Sequence, residues 1–218
     1  MKKYIIHYPK LTERKVYIES QNLQDIEWVS KWNREDFAVQ PPERYIPCCK
    51  LWNRKLLDYY KSKADFRLLK PGDFACSENH IETWKKIADT ETSLVLEDDV
   101  IFCNFFSEIF DQTILDCPNF DVLFIGGGFY HEDVAQTTQQ IGSFYKKSHP
   151  STNTVCAYVL SRRAAQKLCK IVESGYTLPI DFEMNYWFDV LNFDVYHHVP
   201  YLIREGTSAG FYKTCQQR

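Results

Sequence analysis

Leu94-Val95-Leu96-Glu97-Asp98-Asp99-Val100-Ile101-Phe102 is the stretch on which the fold of this chain turns. Ser93 to Leu96 is a short apolar run of the kind that forms a buried strand, and it ends abruptly in three acids. Ligands of α/β sheets gather at the carboxyl ends of strands, which is where these acids fall. Crowded like charges resist ionisation unless something positive compensates them. A hard divalent cation held by carboxylate oxygens does so, and it also grips phosphate oxygens. The plain alternative is a solvated turn in which an Asp caps the next element.

Working outward, Asp121-Val122-Leu123-Phe124-Ile125 reads as a second strand running into Gly126-Gly127-Gly128, and Val155 to Leu160 as a third. Tyr4 to Tyr8, closed by Pro9, is another, with a helical stretch from Thr12 onward. Pro71-Gly72-Asp73 reads as a turn, followed by Ser77 as N-cap of a helix over Glu78 to Asp89. On that helix His80, Ile81, Trp84, Ile87 and Ala88 share a face. Ser161 caps a helix from Arg162 to Glu173, with Ala165, Leu168, Cys169 and Val172 inward and Gly175 as its stop. Strands alternating with helices predict an α/β sandwich on a mixed, largely parallel central sheet. Glu35 to Asp73 carries no clear pattern. No repeat or linker divides the chain, so residues 1–218 are read as one domain.

Composition narrows the function. A hydrophobic content of 44% with 25% charged residues is that of a globular protein. The net charge of -3 offers no electrostatic footprint for nucleic acid. No segment approaches the length of a membrane span or a secretory apolar region, which predicts a cytosolic protein. The aromatic content of 16% suits a carbohydrate site, although rings more often fill cores. None of the eight cysteines forms a C-x-x-C pair, so zinc-finger spacing is absent and reduced thiols are expected, with Cys156 and Cys169 buried.

Further candidates lie outside the acidic run. Ser77 and His80 form either a cap and a core histidine or a polar pair reaching the same pocket. Asp181 and Glu183, just after Pro179, mark either the start of a helix from Phe182 to Leu191 capped by Asp181, or a general base. In His197-His198 adjacent side chains point to opposite faces of a strand, and His198 is a candidate extra metal ligand. Gly126-Gly127-Gly128 lacks the phosphate-loop lysine and the dinucleotide spacing, and reads as a loop near the site.

Taken in order, these segments resemble glycosyltransferase family 25, which holds bacterial lipopolysaccharide galactosyltransferases and procollagen galactosyltransferases. The stretch from Pro71 through Cys76, Ser77, His80 and Trp84 to Ile87, followed by Leu94 to Val100, is similar to a G-E-x-G-C-x-x-S-H pattern, a helix with a tryptophan, and a strand ending E-D-D. Asp121 to Gly126 resembles the family's D-x-L-x-L-G strand, Ala157 to Ala165 its A-Y-x-x-S-x-x-A-A segment, and Pro179-Ile180-Asp181 its P-x-D. Two departures touch the donor pocket: His7 stands where the family usually has Asn, and Ser77 and His80 are separated by Glu78 and Asn79.

The resemblance implies a GT-A-like nucleotide-sugar-binding sandwich, a UDP-sugar donor, manganese and inversion at the anomeric carbon. Galactose is the family's default sugar and glucose the first alternative. The acceptor would be a hydroxyl of a glycan or of a glycosylated or hydroxylated protein. In this scheme Mn²⁺ is held by Asp99 with Glu97, Asp98 or His198 helping, and His7, Arg14, Ser77 and His80 lie in the donor pocket. Asp181, or else Glu183, takes the acceptor proton. The rival classes are a metal-dependent phosphohydrolase using the same acids and a non-catalytic carbohydrate-binding module.

Overall fold

The computed structural model describes residues 1–47, 68–127, 139–146 and 155–213. β1 (Lys3–Ile6) is the apolar run ahead of Pro9, and α1 (Thr12–Ser20) follows it. β2 (Ile26–Val29) then pairs parallel to β1. A 3₁₀ turn at Arg34–Phe37 is the regular element described in the stretch that sequence pattern left unassigned.

α2 (Pro71–Asp89) begins six residues before the expected cap at Ser77. Pro71 occupies the first helical position, where its missing N–H costs nothing and its fixed φ suits the helix. Asp73 reaches back to accept the Lys70 N–H at 2.8 Å. What read as a turn is therefore the first turn of the helix, and Ser77 lies inside it. The apolar face is as expected, with Ile81, Trp84, Ile87 and His80 all fully buried.

β3 (Ser93–Glu97) carries the acids at its C-terminal end, and β4 (Val100–Phe102) leads to α3 (Phe106–Asp116). Next come β5 (Val122–Phe124), β6 (Gly126–Gly127), β7 (Gln139–Ile141), β8 (Phe144–Lys146) and β9 (Ala157–Leu160). Gly128, the last of the three glycines singled out above, lies outside the described residues, as do Cys48, Cys49 and Cys215. α4 (Arg162–Ile171) has its cap where sequence placed it: Ser161 Oγ accepts the Ala164 N–H at 3.1 Å. Gly175 ends the following turn at φ +91°, where a Cβ would lie 2.6 Å from the Arg44 carbonyl oxygen. α5 (Ile180–Val190) starts after Pro179, two residues earlier than an Asp181 cap would give. β10 (Val195–His198) and β11 (Ile203–Glu205) complete the described elements.

The strands form an eight-stranded sheet in the order β2-β1-β3-β9-β5-β10-β8-β7. β9 and β8 run against the rest, which gives the mixed, largely parallel sheet expected. Alternation along β3 sends Val95 to one face and Leu94 and Leu96 to the other. On the first face Val95 joins Trp84 of α2, Leu168 of α4 and Trp187 of α5; on the second, Leu94 and Leu96 join Ile18 of α1 and Phe106 and Phe110 of α3. Both faces are thus covered, as parallel strands require.

A second, three-stranded sheet in the order β4-β11-β6 lies beside the acids. β11 sets Glu205 opposite Val100 and Ile203 opposite both Phe102 and Gly126. Glycine is required at 126, since a Cβ there would lie 2.8 Å from Ala157 Cβ and 3.0 Å from the Ile203 carbonyl oxygen. Among the described residues no helix is long and apolar enough to cross a membrane.

Candidate active site

The end of β3 opens into a cleft of about 250 Å³ lined by Glu97, Asp98 and Asp99, by His7 and Tyr8 just after β1 and Arg14 of α1, and by Glu205 at the end of β11 and Thr207 just beyond it. The three adjacent acids have different surroundings. Asp98 is clamped: its Oδ2 accepts from His7 Nδ1 at 2.9 Å and from the Tyr8 N–H at 3.0 Å, and its Oδ1 from Arg14 at 2.7 Å. Burial works to raise its pKa, but His7, Arg14 and the Tyr8 N–H outweigh it and hold the carboxyl below its usual range. Arg14 is buried too, with its guanidinium 4.9 Å from the Tyr212 ring.

Asp99 is the opposite case. Its Oδ2 accepts from the Thr207 hydroxyl at 2.5 Å, and its Oδ1 is buried with no hydrogen-bond partner among the described residues. Burial, then the charge of Glu97, pushes its pKa up. Glu97 is raised as well, by burial and then by Asp98, against the Cys76 thiol and Arg14. Glu205 is pushed up to about 7, first by burial and then by the charges of Asp99 and Glu97, with the Ser208 hydroxyl opposing. Three carboxyls that suppress one another's ionisation, one of them with an orphaned buried oxygen, fit a hard divalent cation with oxygen ligands.

α2 presents Gly72, Ala75, Cys76 and Asn79 to the cleft, a helical stripe that omits Ser77 and His80. Ser77 is fully buried and its hydroxyl has no partner among the described residues. His80 is fully buried beneath Glu97. Its Nδ1 lies 2.8 Å from Tyr158 Oη, which accepts from Trp84 Nε1 at 2.9 Å. With the Tyr158 proton turned to Nδ1, the network assigns the ring proton to Nε2, which donates to Glu97 Oε1 at 3.2 Å. Burial lowers the His80 pKa to about 3, against the pull of Asp181, so the ring is neutral. Cys76 Sγ donates to the same Glu97 oxygen at 3.3 Å. His80 therefore orients Glu97 from below and does not line the cleft. Asn79 holds the Trp32 backbone at the cleft wall, accepting its N–H at 3.1 Å and donating to its carbonyl at 2.8 Å.

Asp181, near the start of α5, is half-buried and accepts its neighbour's Phe182 N–H at 3.0 Å. Its charge acts on both Cys76 and His80, which places it beside that cluster. Glu183 is buried, and its Oε1 accepts the N–H groups of Thr177 at 2.6 Å and Leu178 at 2.9 Å. Burial lifts its pKa to about 7 although those two N–H groups work to lower it. His198 is not brought to the acids. It lines a different cavity, beside Glu108 and Phe144, with Nδ1 2.8 Å from the Pro200 carbonyl oxygen.

Cys76, Glu205 and Thr207 were not singled out from sequence. Cys76 carried a signal, since it lies one helical turn before His80; the other two carried none. Cys76, Cys103, Cys117 and Cys169 are free thiols; Cys156 is buried as expected and Cys169 only partly so.

Sheets of α/β proteins bind their ligands at the carboxyl ends of their strands, and a carboxylate cluster placed there defines the chain as a ligand-binding α/β sandwich. Within that class, the chain belongs to glycosyltransferase family 25 (LPS biosynthesis protein), whose sequence profile matches residues 1–184, and the protein is thus a glycosyltransferase by family. No curated protein matches it. Among solved structures it is similar to mouse xyloside xylosyltransferase 1 in its apo form, at 10% identity and a TM-score of 0.36 over 93% of this chain and 83% of that one.

Proposed function

We propose that this glycosyltransferase moves a hexose, galactose before glucose, from a UDP-sugar to a hydroxyl of a glycan or of a glycosylated or hydroxylated protein, with inversion and with a divalent cation, Mn²⁺ first. The observation that carries this reading is the buried Oδ1 of Asp99, without a partner among the described residues, on a residue that lines the cleft together with Glu97 and Glu205. Asp99, with Glu97 and Glu205, would hold the cation, which when bound neutralises charge on the departing diphosphate. Asp98 instead fixes His7 and Arg14 against the cleft wall, so the donor meets a preformed surface. The metal set leaves out His198, which lies elsewhere.

Asp181 is the base that takes the proton from the acceptor hydroxyl. Glu183 is the weaker candidate because its Oε1 already accepts two backbone N–H groups that pin the turn before α5. Residues 1–218 are read as one catalytic domain. A cytoplasmic setting agrees with the free thiols of Cys76, Cys103, Cys117 and Cys169 among the described residues.

The test is release of UDP from a panel of UDP-sugars with Mn²⁺, with EDTA and with Asp99→Ala as controls. Release from one sugar, lost in both controls, is the expected result. Hydrolysis of simple phosphate esters with no sugar transfer would move the protein to the phosphohydrolases.

A further inference from the structure

Beneath the cleft, Cys76 Sγ, His80 Nε2 and Glu97 Oε1 all lie within 4.8 Å of one another. We propose that Cys76, His80 and Glu97 form a binding site for a thiophilic divalent cation, Zn²⁺ first, distinct from the hard-cation position at Asp99 and competing with it for Glu97.

Three observations support the site. The first is the donor set: a thiol, an imidazole and one carboxylate suit zinc, whereas manganese and magnesium prefer all-oxygen surroundings. The second is spacing. Tetrahedral zinc with ordinary bond lengths sets its nitrogen and oxygen ligands about 3.4 Å apart and its sulfur and oxygen ligands about 3.6 Å apart. The observed separations are 3.2 Å for His80 to Glu97 and 3.3 Å for Cys76 to Glu97, so small outward shifts admit the ion. The third is support behind the ligands. His80 Nδ1 lies 2.8 Å from Tyr158 Oη, which also accepts from Trp84 Nε1, so once the Tyr158 proton turns away from the ring an Nε2-bound imidazole can donate its Nδ1–H to that oxygen.

Proton bookkeeping is simple. His80 keeps one proton, which moves from Nε2 to Nδ1, where the Tyr158 oxygen accepts it. The Cys76 thiol proton goes to solvent as the thiolate binds the ion, so affinity rises with pH. Two divalent cations that share the Glu97 carboxylate repel each other across it and divide its charge, so Mn²⁺ and Zn²⁺ weaken each other's binding.

The experiment titrates the full chain with Zn²⁺ against a chromophoric chelator and records near-ultraviolet spectra with Co²⁺ in place of Zn²⁺. The wild type should bind Zn²⁺ and give a thiolate-to-cobalt charge-transfer band. Cys76→Ser should remove the band and weaken Zn²⁺ binding roughly 100-fold as one strong ligand is lost. His80→Gln should weaken it comparably, with circular dichroism checking that both variants fold. Added Mn²⁺ should lower the apparent Zn²⁺ affinity of the wild type and have less effect in Asp99→Asn. An unchanged Zn²⁺ affinity in a folded Cys76→Ser variant, or a wild type without the cobalt band, overturns the proposal. Neither readout needs glycosyl transfer, so failure here and failure of the transferase reading are separable.

Discussion

Asp98 and Asp99 are neighbours in sequence, yet replacing each by Asn should have very unequal effects on stability. Asp98 accepts three hydrogen bonds, from His7, Tyr8 and Arg14, and its side chain and that of Arg14 are 9% and 6% exposed. Asp98→Asn puts an amide N–H₂ against donors and leaves the Arg14 charge buried without its carboxylate. Breaking a buried pair of this kind costs about 3–5 kcal/mol, or roughly 6–20 °C in melting temperature for a chain of this size. Asp99 has one hydroxyl partner and one orphaned oxygen, and its ionisation is already opposed by burial and by Glu97. Asp99→Asn keeps an oxygen for Thr207, turns its N–H₂ toward the neighbouring acids and removes a repelling charge. It should therefore leave stability within roughly 1 kcal/mol of the wild type, or slightly above it, while abolishing Mn²⁺-dependent UDP release. The assay pairs thermal melts at neutral pH with Mn²⁺ titration of activity. Equal destabilisation by the two variants, or an Asp98→Asn melt matching the wild type, would refute this division of roles.

Three other outcomes follow from the same geometry. Tyr158→Phe strips Trp84 Nε1 and His80 Nδ1 of their shared partner, at about 1–3 kcal/mol for each buried group left unpaired, and urea titration should register the sum. Glu183 binds its proton more tightly folded, at a pKa of about 7 against 4.5. Its contribution is most favourable below the lower value and is lost as pH rises through the upper one, by roughly 3 kcal/mol in all, so Glu183→Gln should flatten stability against pH in that window. Gly206→Ala places a Cβ 2.6 Å from the Asp99 carbonyl oxygen, displacing Thr207 and reducing Mn²⁺ affinity roughly 10–100-fold in an activity titration, whereas unchanged affinity would remove Thr207 from the site.

Local chemistry made much of the architecture readable in advance. The Ser161 cap and the inward stripe of α4 are set within a dozen residues, and so is the strand that delivers the three acids to the sheet edge. The start of α2 was misplaced because Pro-Gly-Asp is as common in turns as in first helical turns; Asp73 reaching back to Lys70 is what distinguishes them here. The unequal roles of Glu97, Asp98 and Asp99 could not be read from the run itself, since each depends on partners from a different part of the chain. Asp98 is set by residues 84–91 positions away, and Asp99 by one that is 108 away. Strand alternation separated His197 from His198 but could not say that β10 lies on the far side of β5 and β9 from the acids.

The path of β11 also puts the site on a clock. His7, Arg14 and Asp98 are all made by the time residue 99 is added, so the clamped half can assemble early. Asp99 waits for Thr207, 108 residues later, which at roughly 5–20 residues per second is about 5–20 s of synthesis. During that interval the nascent chain carries its acids without the strand that closes over them. Asp99 therefore meets Thr207 and Glu205 only well after the clamped half of the site has been made.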